Sequence, residues 1–233
     1  MAVFCKTQTN GSMKSRIEHL PITWLVVLSL LGGCGSGETS NSTTSEFTRC
    51  KNAGPRDFCN RGAEGVRLHI EEFGEFPEEM DSISITDFDR VAALAPLKKV
   101  KKAQRVSIYA SRVEDLSFLS GLEETVALRI GGNSKITSLR GLENLREVTI
   151  LTEITANAEL RNLEGLDSLQ IGSGPQEAFF VFENPKMESL DGMDSLEQVH
   201  NLTVQNNMQL KTLGSFPALK QASCSAPRRS SHV

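Results

Sequence analysis

The stretch FENPKMESLDGMDSL, residues 182–196, gathers four carboxylates, Glu183, Glu188, Asp191 and Asp194, around a glycine. It is either an acidic loop that holds a metal ion or one turn of a repeat. Its apolar residues decide. Met187, Leu190, Met193 and Leu196 fall on every third position. Five further blocks align with them without gaps: FDRVAALAPL (88–97), VEDLSFLSGL (113–122), ITSLRGLENL (136–145), LRNLEGLDSL (160–169) and LKTLGSFPAL (210–219). Successive block starts advance by 25, 23, 24, 27 and 23 residues. The acids do not recur. The Asp191 position holds Arg140, Glu164 and Gly214 elsewhere, and the Asp194 position holds Glu143, Asp167 and Pro217. A metal site needs carboxylates that converge, whereas these vary as a solvated face does, so the stretch reads as a repeat.

Between the blocks lie short alternating runs: VSI (106–108), LRI (128–130), TILTE followed by ITANAEL, FFV (179–181) and LTV (202–204). Alternation over so few residues predicts strands with one buried face. Leu128, Ile130, Thr152, Ile154, Phe179, Val181, Leu202 and Val204 are expected to point inward. Arg129, Glu153, Thr155, Phe180, Phe182, Thr203 and Gln205 are expected outward, with Tyr109 on the same face. Asn133, Asn157, Asn184 and Asn207 each stand three residues after a buried strand position and three before the next block. A side-chain amide there can satisfy backbone groups at the turn, so the four are expected to form a ladder. Ile85 and Ala110 are read as standing in its first two places.

Strand, Asn, Leu-x-x-Leu-x-Gly-Leu and return together resemble a leucine-rich repeat. The irregular period and the L-x-G-L-x-x-L segment are similar to the receptor L domains found in growth-factor receptor ectodomains. The resemblance covers about residues 83–219. It implies a mainly β, right-handed parallel solenoid of about six coils with short helical turns, and it points to no particular ligand. One coil cannot bury its own apolar face, so stacked neighbours would supply the core. Ala93 stands where three later blocks carry Gly141, Gly165 and Gly192.

The segment before the repeats reads as an address. ITWLVVLSLL (22–31) has no charge, is too short for the roughly 20 residues of a spanning helix, and follows Lys14 and Arg16, as in a secretory signal over 1–33. Met13 is a possible true start. The run ends in Leu31-Gly32-Gly33-Cys34, which resembles the lipobox of bacterial lipoproteins and implies acylation of Cys34. By the same resemblance Gly35, in place of Asp, favours an outer-membrane or surface destination. Residues 34–49 are small and polar, as in a flexible tether. In a secreted context Cys50 and Cys59 are expected to form a local disulfide before the first strand, leaving Cys224 odd. The segment 50–82, with VRLHI (66–70) and EFGEFPEEM, is read as an N-terminal cap, and 220–233 as a frayed or truncated end without a strand.

Other chemistry finds little support. Net charge is −4, and −6 once 1–33 is removed, which disfavours nucleic acid. Zinc-pair, Walker, G-x-S-x-G and H-E-x-x-H motifs are absent, so neither cofactor nor metal is expected. His69 is read as a surface or strand-edge residue and His200 as structural or exposed. The IGSGP at 171–175 fits an inserted turn in the longest repeat. Phe180 and Phe182 stand out as aromatics on the outward face, and exposed apolar clusters mark contact surfaces. The insertion at 171–177 folding over them is the competing reading. The expected function is recognition or adhesion by a lipid-anchored surface protein without catalysis. It would bind a protein or glycan through Phe180, Phe182, Arg129, Tyr109, Glu153 and Gln205. A carbohydrate-active β-helix enzyme, or a structural envelope protein, is the alternative.

Overall fold

In the computed structural model, the described residues are 2–3, 54–61, 65–87, 91–170 and 177–222. Alternating apolar runs separated by near-constant spacings produce a mainly β chain. Seven strands lie parallel in an open sheet: β2 (Asp57–Arg61), β3 (Glu79–Thr86), β4 (Lys102–Tyr109), β5 (Glu124–Gly131), β6 (Glu147–Thr155), β7 (Ala178–Phe182) and β9 (Leu202–Gln205). Each pairs with the next in chain order, save that β8 (Gln198–Val199) leaves to pair with β10 (Gln221–Ala222) in a second, two-stranded sheet. The pair β1 (Ala2–Val3) lies antiparallel on β9, at the far edge. No helix among the described residues is long and apolar enough to cross a membrane.

The register is continuous across the sheet. Ile85, Ile108, Ile130, Ile154, Val181 and Val204 form one inward row, and Ile83, Val106, Leu128, Thr152, Phe179 and Leu202 another. Opposite them stack the apolar positions of the repeat blocks. Those of the four middle blocks, from Val113 to Leu196, are at most 1% exposed. Each such side chain contributes roughly 1.5–3 kcal/mol by leaving water. Exposed ion pairs contribute ~0–1 kcal/mol, so the apolar rows hold the fold. The last block is only partly covered: Leu210, Leu213, Phe216 and Leu219 pack on the core half-exposed.

The strands are longer than the short alternating runs. Each of β3 to β6 starts with a further buried residue, Met80, Ala103, Thr125 or Val148. Gln104 and Arg105 then both face out on β4, as do Val126 and Ala127 on β5. β6 carries an extra residue at this place, Thr149-Ile150 against Val126, as a β-bulge. The sheet therefore turns a corner at one level from β3 to β6.

Glycine sets the return path. Gly141, Gly165 and Gly192 have φ of 110°, 111° and 106°. A Cβ on any of them would overlap the backbone of the preceding turn, at Leu116, Leu139 or Leu163. That close approach lets Leu139 N–H donate to the Glu164 carbonyl and Leu163 N–H to the Asp191 carbonyl, each at 2.8 Å. The first two blocks carry Ala93 and Phe118 at this position, and there the chain returns in 3-10 helices, Val91–Lys99 and Ser117–Leu119. The Phe118 ring is fully buried.

The N-terminal segment departs from its reading as a cap before the first strand. Residues 57–61 and 79–86 are already strands of the sheet, so the sheet begins before residue 83. Cys59 sits in β2, not in a preceding loop, and is disulfide-bonded. Its expected partner Cys50 lies outside the described residues, as do Cys34, the tether, Cys224 and, save for residues 2–3, the expected signal. VRLHI belongs to helix α1 (Gly65–Phe73), which closes this end with Val66 and His69 buried. At the other end Gln221–Ala222 forms a strand where none was expected.

Candidate functional site

The asparagine ladder lies at the end of the strands and fixes where their outward faces stop. Asn133 donates Nδ2–H to the Ile108 carbonyl at 3.0 Å and to Asn157 Oδ1 at 2.9 Å. Asn157 repeats this toward Ile130 and Asn184, and Asn184 toward Ile154 and Asn207. Each backbone N–H in the series donates to the next Oδ1. Asn133, Asn157 and Asn184 have no exposed surface, and every amide there is used. The early member is neither Ile85 nor Ala110. Ser111 takes the place, 1% exposed, and its N–H donates to Asn133 Oδ1 at 3.0 Å. Ile85 points into the core in the Ile130 row. Ala110 instead belongs to a second column, Asp87, Ala110, Gly132, Ala156, Glu183 and Asn206, all with φ between 49° and 64°. One left-handed residue ends each strand and turns the chain so that the next side chain enters the ladder.

The outward strand face carries two rows. One runs Ser84, Ser107, Arg129, Glu153, Phe180, Thr203, and the other Thr86, Tyr109, Gly131, Thr155, Phe182, Gln205. All six candidate binding residues therefore share one face. Arg129 Nε lies 3.4 Å from Glu153 Oε2, and the Tyr109 hydroxyl donates to Glu153 Oε1 at 3.4 Å. Tyr109 reaches across a whole strand to do so, because Gly131 lies beneath it. A Cβ there would sit 2.9 Å from Tyr109 Cζ. Two strands beyond Arg129, the rings of Phe180 and Phe182 stack with centroids 5.2 Å apart and planes at 23°. The rings lie against each other, and both residues are half-buried. Residues 171–176, the core of the insertion read as covering them, lie outside the described residues.

Glu183, Asp191 and Asp194 are exposed, and Glu188 bridges Arg161 at 3.4 Å and Lys211 at 2.8 Å. Among the described residues no three His, Cys, Asp or Glu side chains are placed to hold a metal ion. His69 is not at the surface. It is 7% exposed and stacks on Phe76 at 4.4 Å, with Phe58 edge-on at 5.7 Å. Burial lowers its pKa, against smaller opposing effects from Glu72 and a hydrogen bond to the Pro55 backbone. His200 Nδ1 lies 3.7 Å from Glu177 Oε2, a carboxylate whose side chain is 3% exposed.

Comparison of the chain with protein-family models, with curated proteins and with solved structures gave no match.

Proposed function

We propose that this protein is a lipid-anchored cell-surface recognition or adhesion protein, built as a leucine-rich, receptor-L-like solenoid. Its strand face would bind a protein or glycan without catalysing a reaction. The observation that carries this reading is the stacked Phe180–Phe182 pair, two large aromatics at outward positions of β7, in register with Arg129, Glu153, Tyr109 and Gln205. A pair of rings on a sheet face beside polar groups that fix orientation has the composition of a contact surface. The lipobox-like Leu31-Gly32-Gly33-Cys34 and the polar stretch after it support anchoring through two or three acyl chains, which hold where one chain does not.

The test compares wild type with the double variant F180S/F182S, probing defined glycan arrays and biotinylated surface proteins. Selective binding by wild type and its loss in the variant, with an unchanged urea midpoint, is the expected result. A variant that unfolds places the two rings in the core and removes the basis of the proposal.

A further inference from the structure

A second feature of the strand face lies toward the β2 edge. The outward positions there are small: Ser82 and Ser84 on β3, Ser107 on β4 and Ala127 on β5. With Cys59, Arg105 and Arg129 they surround a hollow of about 110 Å3. That is several times the ~10–15 Å3 that admits one water. Arg105 pairs in register with Ala127, and Arg129 lies two residues farther along the same strand and face. The two arginines are thus diagonal neighbours, roughly 7–8 Å apart at the backbone. No carboxylate lines the hollow. Of the nearest acids in these rows, Asp57 accepts from the Ser82 hydroxyl at 2.6 Å, and Glu153 accepts from Tyr109 and bridges Arg129, so a ligand would share Arg129 with Glu153. Arg105 makes no ion pair among the described residues, whereas most other cations have an acid one turn away.

We propose that this hollow is a subsite for an acidic saccharide, a sugar bearing a carboxylate or a sulfate ester. This rests on the glycan branch of the function proposed above. Two guanidinium groups flanking a depression match a planar or tetrahedral oxyanion, since each offers a rigid fork of donors. Tyr109, two residues beyond Ser107 on the same face, crosses Gly131 to reach Glu153 and gives an aromatic surface farther along the face, and the serine positions of the hollow suit a polar ligand. Positive charge ends after these two arginines. The row continues into Glu153 and the Phe pair, so the surface accommodates one acidic group followed by an apolar ring face. A run of acidic peptide side chains would need more cations than the row supplies.

The experiment is calorimetric titration of the full chain in detergent. Its ligands are tri-galacturonate, a sulfated heparin disaccharide, methyl-esterified tri-galacturonate and tetra-glutamate. One of the two acidic sugars binds and identifies the anion, while the ester does not. R105A, R129A and Y109A each weaken binding by about tenfold or more, as loss of a charged or stacking contact does. K98A, at an exposed cation away from this face, leaves it unchanged. Equal binding of acid and ester, tighter binding of tetra-glutamate, indifference to R105A, or no binding of either acidic sugar overturns the subsite. If surface capture is lost in F180S/F182S but no acidic sugar binds, the subsite alone fails. If the acidic sugar binds through Arg105 while capture survives F180S/F182S, only the role of the Phe pair fails.

Discussion

Truncating the middle of the amide ladder, Asn157→Ala, tests the account of how the turns are joined. The Asn157 side chain accepts from Asn133 N–H at 3.2 Å and Asn133 Nδ2 at 2.9 Å, and donates to Ile130 O at 3.0 Å and Asn184 Oδ1 at 3.1 Å. Three of these four partners keep another bond. Asn133 Nδ2 still reaches Ile108 O, Asn184 Oδ1 still accepts the backbone N–H of residue 157, and the Ile130 carbonyl stays in the ladder between β5 and β6. The Asn133 N–H loses its partner, in a place with no access to water. A buried orphan costs about 1–3 kcal/mol, so the variant should lose about 1–3 kcal/mol. With a urea m-value near 2 kcal/mol/M, the midpoint falls by about 0.5–1.5 M. Asn207→Ala is the control. It removes bonds from Asn184 N–H and to Val181 O, but at a half-exposed residue where water replaces them, and should cost about 1 kcal/mol. Urea unfolding followed by far-ultraviolet circular dichroism measures both. A loss below ~1 kcal/mol for Asn157→Ala, or equal losses for the two, refutes the claim that the buried ladder bears this burden.

Three further outcomes are expected. Gly165→Ala places a methyl group into the Leu139 carbonyl at φ 111°, and should lower folded yield sharply. Gly132→Ala meets nothing closer than 3.5 Å at φ 64°, where Ala110 and Ala156 already sit, and should cost at most about 1 kcal/mol by the same urea assay. The His69 pKa is lowered on folding, so its contribution to stability is complete above the unfolded value near 6.5 and is lost as pH falls through the folded value. Thermal midpoints between pH 7.5 and 5 should therefore drop more in wild type than in His69→Phe.

Much of this was legible because a repeat shows each position several times. The inward and outward sets on four strands, the Leu rows and four of the ladder residues all followed from period and alternation. The corner was not legible, since two outward residues in succession, Gln104-Arg105 or Val126-Ala127, break alternation and look like strand ends. Ser111 was missed because a backbone N–H, rather than an amide side chain, makes its link to the ladder. The register was therefore misplaced by one residue at Ala110 and by more at Ile85. Helix α1 was hidden by VRLHI, whose alternation imitates a strand, while its buried Val66 and His69 are spaced three apart. The hollow was invisible because serines and alanine mark it only by what they lack, and only the strand register places Arg105 against Ala127.

The ion pairs have a consequence for crowding. Glu75 with Lys99, Glu78 with Lys101, Arg140 with Glu164, Arg161 with Glu188 and Glu197 with Lys220 each join one turn to the next, pairing opposite signs along the flanks. Beyond a screening length of ~8 Å such paired charges cancel. Copies packed side by side would neither attract nor repel each other strongly through these walls. On the proposed reading as a surface recognition protein, closely packed copies would leave contact to the strand face.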